Sequence, residues 1–504
     1  MSERNSHREI LRSSSIIGGA SVINILLGLV RTKLAAVLLG PAGVGMIGLL
    51  QSVMTTASTA SALGFGTVGT RQIAEAAGKE DQAAVAAARR ALFWGTTGLA
   101  VIGGAAFWLL RDILAVWVLQ APELGAKIGW LAVGVTLSVA AGSQTALLNG
   151  LRRIGDLARI SVASAVLSTL LSVGALLWLE EVAVLLFVLA APISSFILGH
   201  WFVSRLGGVR APATPLAQLG QQWRTMGRLG TVFMISGLVV TVGQLAVRTL
   251  VQRELGVELL GQFQAAWAIG MTYIGFVLTA MGTDYYPRLT AVIHDRETAN
   301  RLANEQTEVA LLLAGPIFLV MLGLAPWLID LLYSRAFDDA VIILRWQVLG
   351  DVLKVASWPL GFIILAAGDG RTFMLSESAA IGAFVFFTWI GLPVIGVQAT
   401  GVAFLVMYAV YLPLVYWLGR QRTGFAWERR VLWQFVALLI AAGAVFGSAE
   451  ISPPVGGVLG VLLSLAFFVY CIVRLGAITN LGGPLRKISA VVESLMMVIR
   501  FLRK

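Results

Sequence analysis

The stretch GLVRTKLAAVLLGPAG, Gly28 to Gly43, decides the fold class. Its neighbours extend it into an apolar run over 16–39, long enough to cross a hydrocarbon core of roughly 30 Å as a helix. It nevertheless carries Arg31 and Lys33, and it closes on a Gly-Pro turn. Similar runs follow at 44–70, 91–110, 128–149, 160–179, 183–203, 229–252 and 259–285, then at 306–333, 341–367, 373–392, 398–419, 431–449 and 455–474. The pattern predicts about fourteen transmembrane helices and an all-α integral membrane protein. Composition agrees: 58% of the 504 residues are hydrophobic, 12% are charged, and the mean hydropathy is +0.85, far from the make-up of soluble domains.

The net charge of +11 does not point to nucleic acid, because the basic residues fall in short gaps between apolar runs rather than in one soluble domain. The polar N-terminus MSERNSHREILRSSS leads into an apolar run without a small-residue cleavage site, so a retained first helix is expected. An even number of spans puts both termini on one side. If that side is the cytoplasm, 28 of the 37 Lys and Arg lie in cytoplasmic segments, counting Arg474 at the inner end of the last span, which is the orientation the positive-inside rule favours.

Chemistry of other kinds finds no foothold. Cys471 is the single cysteine and lies in an apolar run, which excludes an intrachain disulfide and a cysteine metal cluster. His7, His200 and His294 are scattered, and no Walker A loop is present. Gly64-Phe-Gly66-Thr-Val-Gly69 matches GxGxxG in form, but it ends an apolar run with no strand before it, so close helix packing or a helix end explains it better than a dinucleotide. Neither cofactor, metal nor enzymatic activity is expected.

The connection Ser204–Arg228, with Pro212 and Pro215, divides the first six spans from the next six. An internal echo supports that division: LVRTKLAAVLLGPAGVG from Leu29 resembles AVRTLVQRELGVELLG from Ala246 at an offset near 217 residues. The expected organisation is an N-lobe over 1–211 and a C-lobe over 212–420. Residues 421–504 add two helices and a tail. In that tail Leu485, Ile488, Val492, Leu495, Ile499 and Leu502 recur at helical spacing, with basic residues elsewhere on the wheel, as in an amphipathic helix on the inner leaflet.

Charges inside the spans are the candidate site. Arg31 precedes Gly40 by nine residues, about 13 Å along a helix axis, too deep for easy snorkelling. Lys33 lies about 200° around the helix from it, so one cation can line a cavity while the other anchors or pairs. Arg248 is the counterpart of Arg31 in the echo. In the tenth span Asp351 and Lys354 share a face at i, i+3, open to either a structural or a transport role. Asp284 and Glu377, near predicted inner ends, are candidates for proton or cation coupling, against the plain reading of solvated carboxylates. Glu180 and Glu181 fit an exposed outer turn, and Trp108, Trp117, Trp130, Trp178, Trp327 and Trp417 fit interfacial anchors.

The GPAGVG turn, the six-plus-six duplication and above all WQVLGDVLKVASWPLGFIILAAG, Trp346 to Gly368, resemble the Wzx polysaccharide flippases of the multidrug/oligosaccharidyl-lipid/polysaccharide exporter superfamily. The last stretch is most similar to the WzxE-type lipid III flippases of enterobacterial common antigen. The resemblance covers about residues 10–420. It implies a V-shaped two-lobe bundle in a bacterial inner membrane. Such a bundle passes an undecaprenyl-diphosphate-linked oligosaccharide, as used for O-antigen or common antigen, to the periplasmic leaflet by alternating access. It also implies that Arg31, Lys33 and Arg248 sit where the family holds the lipid diphosphate, with Asp351 and Lys354 in the tenth-helix motif, and that membrane lipids, a glycan polymerase and chain-length machinery are partners. The two helices after Arg430 depart from the twelve-helix pattern but occur in relatives that export lipid II. A cation-coupled multidrug exporter or a lipid II exporter of the same superfamily, or from another class a membrane scaffold or polymerase, are the alternatives.

Overall fold

The computed structural model describes residues 3–179, 182–206 and 216–478. The Glu180–Glu181 turn, Pro212, Pro215 and the amphipathic tail after Gly483 lie outside the described residues. The described chain forms α1 (Glu3–Ala62), α2 (Phe65–Gly78), α3 (Gln82–Leu114), α4 (Gly125–Gly129), α5 (Leu131–Gly150), α6 (Ile154–Trp178) and α7 (Ala183–Ser204). It continues through α8 (Leu216–Val292), α9 (Arg296–Leu332), α10 (Asp338–Ala366), α11 (Gly370–Ile395), α12 (Gln398–Thr423), α13 (Arg429–Ile451) and α14 (Pro453–Ile478). Helices are what this sequence must form, since inside lipid each N–H and C=O needs a partner within its own segment.

Twelve helices among the described residues are long and apolar enough to cross a membrane. Two of them, Gly18–Ala62 with 45 residues and Leu219–Gly275 with 57, far exceed one bilayer at 1.5 Å per residue. Each is divided by a glycine in a conformation that is essentially closed to other residues: Gly40 at φ 65°, ψ −169°, and Gly256 at φ 85°, ψ 176°. Counting each bent helix as two passes restores the fourteen spans. The bends fall at matching places in the internal echo, nine residues after Arg31 and eight after Arg248.

The second expected span, 44–70, is shorter than its apolar run. The helix ends at Ala62 because Leu63 (φ 45°) and Gly64 (φ 66°) turn left-handed, and α2 starts afresh at Phe65. A side chain at Gly64 would collide with the backbone carbonyl of Gly230, so the first glycine of the GxGxxG stretch is used for close helix approach. Phe65, Val68 and Ile73 of α2 then bury against Leu92, Leu147 and Met226.

The chain forms two compact units, Met1–Gly261 with Leu332–Ser334, and Gln262–Leu331 with Arg335–Lys504. In the first, α6 packs on α7 and α1, and α3 on α5. In the second, α10 is the central helix, packed along α12. It is almost wholly buried and carries Asp351 at its middle, fully enclosed. Trp267, Phe384 and Phe404 form an aromatic cluster there, with the Trp267 and Phe384 rings stacked 5.7 Å apart. Gly456 and Gly460 of α14 let its backbone approach Gly323 of α9, where an added Cβ on Gly460 would lie 2.9 Å from the Gly323 Cα. The six tryptophans expected at interfaces are all exposed.

Candidate functional site

In the first unit Arg31 reaches from α1 to α7. Its Nη2 donates to the Phe187 carbonyl, and the guanidinium lies 4.1 Å from the centre of the Phe187 ring. Its Nε is buried without a hydrogen-bond partner, and no carboxylate pairs with it among the described residues. Lys33, two residues on, is half-buried. Arg248 is only 5% exposed and turns back on its own helix, donating from Nη1 to the Gln244 carbonyl at 3.0 Å. Arg31 and Arg248 therefore belong to the same compact unit but take different partners.

The second unit gathers the α10 charges. Asp351 accepts a hydrogen bond from the Tyr273 hydroxyl at 2.6 Å and lies 3.9 Å from Lys354. The Lys354 ammonium sits 5.7 Å from the ring centres of both Phe404 and Tyr408 of α12. Gln347, one turn before Asp351, is fully buried, with neither amide atom hydrogen-bonded among the described residues. On α11, half-buried Glu377 accepts from the Tyr411 hydroxyl of α12. Four helices thus place two carboxylates, one ammonium and three phenols in one region. Asp284 stands apart from it, exposed and paired with Arg288 at 3.0 Å one turn along α8.

Cavities open among the described residues of the first unit. One, of about 520 Å³, is rimmed by Arg89, Arg90 and Arg153. A second, of about 600 Å³, lies among α1, α5, α6 and α7 and is lined by amides and hydroxyls interleaved with aliphatic side chains such as Leu148 and Ile160. Neither is lined by Arg31 or Arg248.

Comparison with known proteins fits this architecture. The family described as polysaccharide biosynthesis protein matches residues 34–342. The chain belongs to this family. It is 23% identical over 435 residues to the lipid III flippase of Escherichia coli (strain K12), covering 82% of this chain and 99% of that relative. The fold of this polysaccharide biosynthesis protein is that of the MOP superfamily transporters. An inward-facing multidrug resistance MATE family transporter superposes with a TM-score of 0.68 at 17% identity, over 82% of this chain and 98% of the other. The lipid II flippase MurJ, inward closed, gives 0.68 at 12% identity over 90% and 98%. The resemblance to the polysaccharide flippases holds at the level of the family, and the chain is a multi-pass membrane protein.

Some interior charges of this family member escaped sequence reasoning. Glu308 of α9 is 1% exposed and is held by Arg430 at 2.7 Å, Arg474 at 2.8 Å and Gln434 Nε2 at 3.1 Å. The two arginines come from α13 and α14, so this carboxylate ties the additional helix pair to α9. Arg345 of α10 pairs with Glu450 of α13 at 2.9 Å and does similar work. Outside the spans, Asp369 begins α11 by accepting from the Thr372 N–H at 3.1 Å and pairs with Arg422. The Arg422 hydrogen bond, reinforced by Thr372, holds its carboxyl down at about 2.

Proposed function

We propose that the chain is a flippase carrying an undecaprenyl-diphosphate-linked oligosaccharide from the cytoplasmic to the periplasmic leaflet by alternating access. The observation that carries this reading is Arg31: a guanidinium inside a membrane helix whose described partners are a carbonyl and a ring face, with no anion among them. A buried cation left without a counter-charge is costly, and a diphosphate offers the oxygens that a guanidinium binds bidentately. Arg248 and Lys33 are the further cations proposed for the diphosphate, and family membership and the lipid III flippase relative support the substrate class.

Asp351, Lys354 and Glu377 are proposed to work as one group, two carboxylates sharing one ammonium, whose charge changes on taking up a proton or cation. Asp284, exposed beside Arg288, is the weaker candidate for coupling. The rest of the proposal follows the family: a bacterial inner-membrane location with both termini cytoplasmic, lobes over 1–211 and 212–420 with 421–504 appended, polymerase and chain-length machinery as neighbours, and no covalent chemistry. A cation-coupled drug exporter is the second reading, favoured by the Asp351–Glu377 carboxylates and the shared MATE fold.

Reconstituted vesicles loaded with a fluorescent polyprenyl-diphosphate oligosaccharide test the proposal. Wild type is expected to translocate it, with Arg31→Ala and Arg248→Ala each slower by tenfold or more, about 1.4 kcal/mol of lost phosphate contact. Equal rates in all three would remove the arginines from the site. Transport of cationic drugs without glycolipid would favour the second reading.

A further inference from the structure

The neutral cavity of the first unit is the feature that the proposed function leaves unused. Its wall takes Asn24 from α1, Gln144 from α5, Ser161, Ser164 and Ser168 from α6, and Ser195 from α7. None of its lining residues is acidic or basic. At about 600 Å³ it lies within the roughly 300–1,000 Å³ of small-molecule sites. Asn24 Nδ2 donates to Ser161 Oγ at 2.6 Å, bridging α1 to α6. Asn24 Oδ1, Gln144 Oε1 and Ser164 Oγ are buried with no hydrogen-bond partner among the described residues, and Ser164 is only 7% exposed.

Buried polar atoms without partners cost free energy, and a native fold retains them where something else completes them. The chemistry of this wall selects what that is. A phosphate would need cations and a drug cation would need a carboxylate, whereas an acyl chain would leave the unpartnered Asn24, Gln144 and Ser164 oxygens unanswered. Amides and hydroxyls both donate and accept, and they match a ring of neutral hydroxyls.

The cavity also has a defined relation to Arg31. Phe187, Ala191, Ser195 and Gly199 follow one another at intervals of four and share a face of α7. Phe187 holds Arg31, and the next three line the cavity. On α1, Asn24 and Arg31 are seven residues apart on one face, about 10.5 Å along the axis. Arg31 therefore stands one helical turn of α7 beyond the cavity, on the same α1–α7 seam. A side chain at Gly199 would strike Gln144 Oε1, so glycine there keeps the amide in the wall.

We infer that this cavity is a glycan subsite, which takes a sugar ring joined to a diphosphate held at Arg31. This rests on the lipid-diphosphate reading of Arg31 and adds to it where the first sugar goes. The test is equilibrium binding to the full chain in detergent micelles with two probes, geranylgeranyl diphosphate and its N-acetylglucosaminyl ester. Wild type is expected to bind the glycosylated probe about tenfold more tightly, roughly the yield of one good buried hydrogen bond. Ser164→Ala and the cavity-filling Ala165→Phe are expected to bring the ratio of the two affinities below about twofold without weakening the bare probe. Arg31→Ala is expected to weaken both probes by the same factor.

Ser164→Ala removes an unpartnered hydroxyl and so should melt no lower than wild type, which keeps the outcome readable if Ala165→Phe folds poorly. Equal binding of the two probes by wild type, or variants that weaken both alike, would overturn the subsite while leaving the diphosphate site standing. Binding of neither probe by folded wild type would overturn the diphosphate site, and the subsite with it.

Discussion

Arg31 of α1 and Glu308 of α9 are both charges inside apolar helices, and their surroundings are opposite. Glu308 is met by two guanidiniums and an amide from α13 and α14. Arg31 is met by a carbonyl and a ring face. A carboxylate so completely answered has no capacity left for a ligand and serves to fasten helices. A guanidinium answered only by neutral groups keeps most of its attraction for an anion. The difference separates a structural charge from a binding charge by its neighbours rather than by its depth.

The comparison can be broken most decisively at Glu308. Glu308→Ala takes the close carboxylate from both Arg430 and Arg474, leaving Arg430 only the more distant Glu428 at 3.9 Å, and the expected loss is about 3 kcal/mol, read as a lower melting temperature in detergent. Affinity for a polyprenyl diphosphate should stay within about twofold in the same variant. A melting temperature equal to that of wild type would show that the clamp contributes nothing. Next in size, Arg31→Ala should weaken binding of that diphosphate about thirtyfold, near 2 kcal/mol, while its melting temperature is unchanged or raised, the reverse of the Glu308 pattern. Loss of stability with intact binding would move Arg31 into the structural class.

Tyr273→Phe probes the α10 region, which lies between these extremes. It removes the hydroxyl that donates to fully buried Asp351 and should cost about 1 kcal/mol in thermal unfolding. The smallest effect belongs to Asp369. Its carboxyl is depressed to about 2 by Arg422 and Thr372, so its contribution is present above the ordinary carboxylate value of 3.8 and is lost as pH falls through about 2. Asp369→Asn should therefore melt slightly below wild type at neutral pH, with the difference vanishing between about pH 4 and pH 2. A difference that persists at pH 2 would point to lost packing instead.

Hydropathy alone located the spans, because each must bury its own backbone polarity and so must be an uninterrupted apolar run. Arg31 was conspicuous for the same reason, as a cation where none is cheap. The Asp351–Lys354 pair was legible because i, i+3 neighbours share a face whatever surrounds them. Glu308 was not, since its partners lie 122 and 166 residues away and nothing in the chain marks their meeting. The glycan subsite was hidden in another way. Asn24, Ser164 and Ser195 are uncharged, and single polar residues of this kind are ordinary in packed membrane helices.

The sequence by itself determined that this is an all-helical membrane protein with an internal echo at Arg31 and Arg248, since apolar length and charge spacing are properties of the chain. It also placed the glycines, but not what they do. Only the tertiary structure decided that Gly40 and Gly256 bend two long helices, that Glu308 is consumed by a clamp, and that Arg31 has no anion among its described partners. Those outcomes depend on which distant side chains arrive beside a charge, and in a low-dielectric interior the neighbours of a charge decide whether it fastens the fold or binds a ligand.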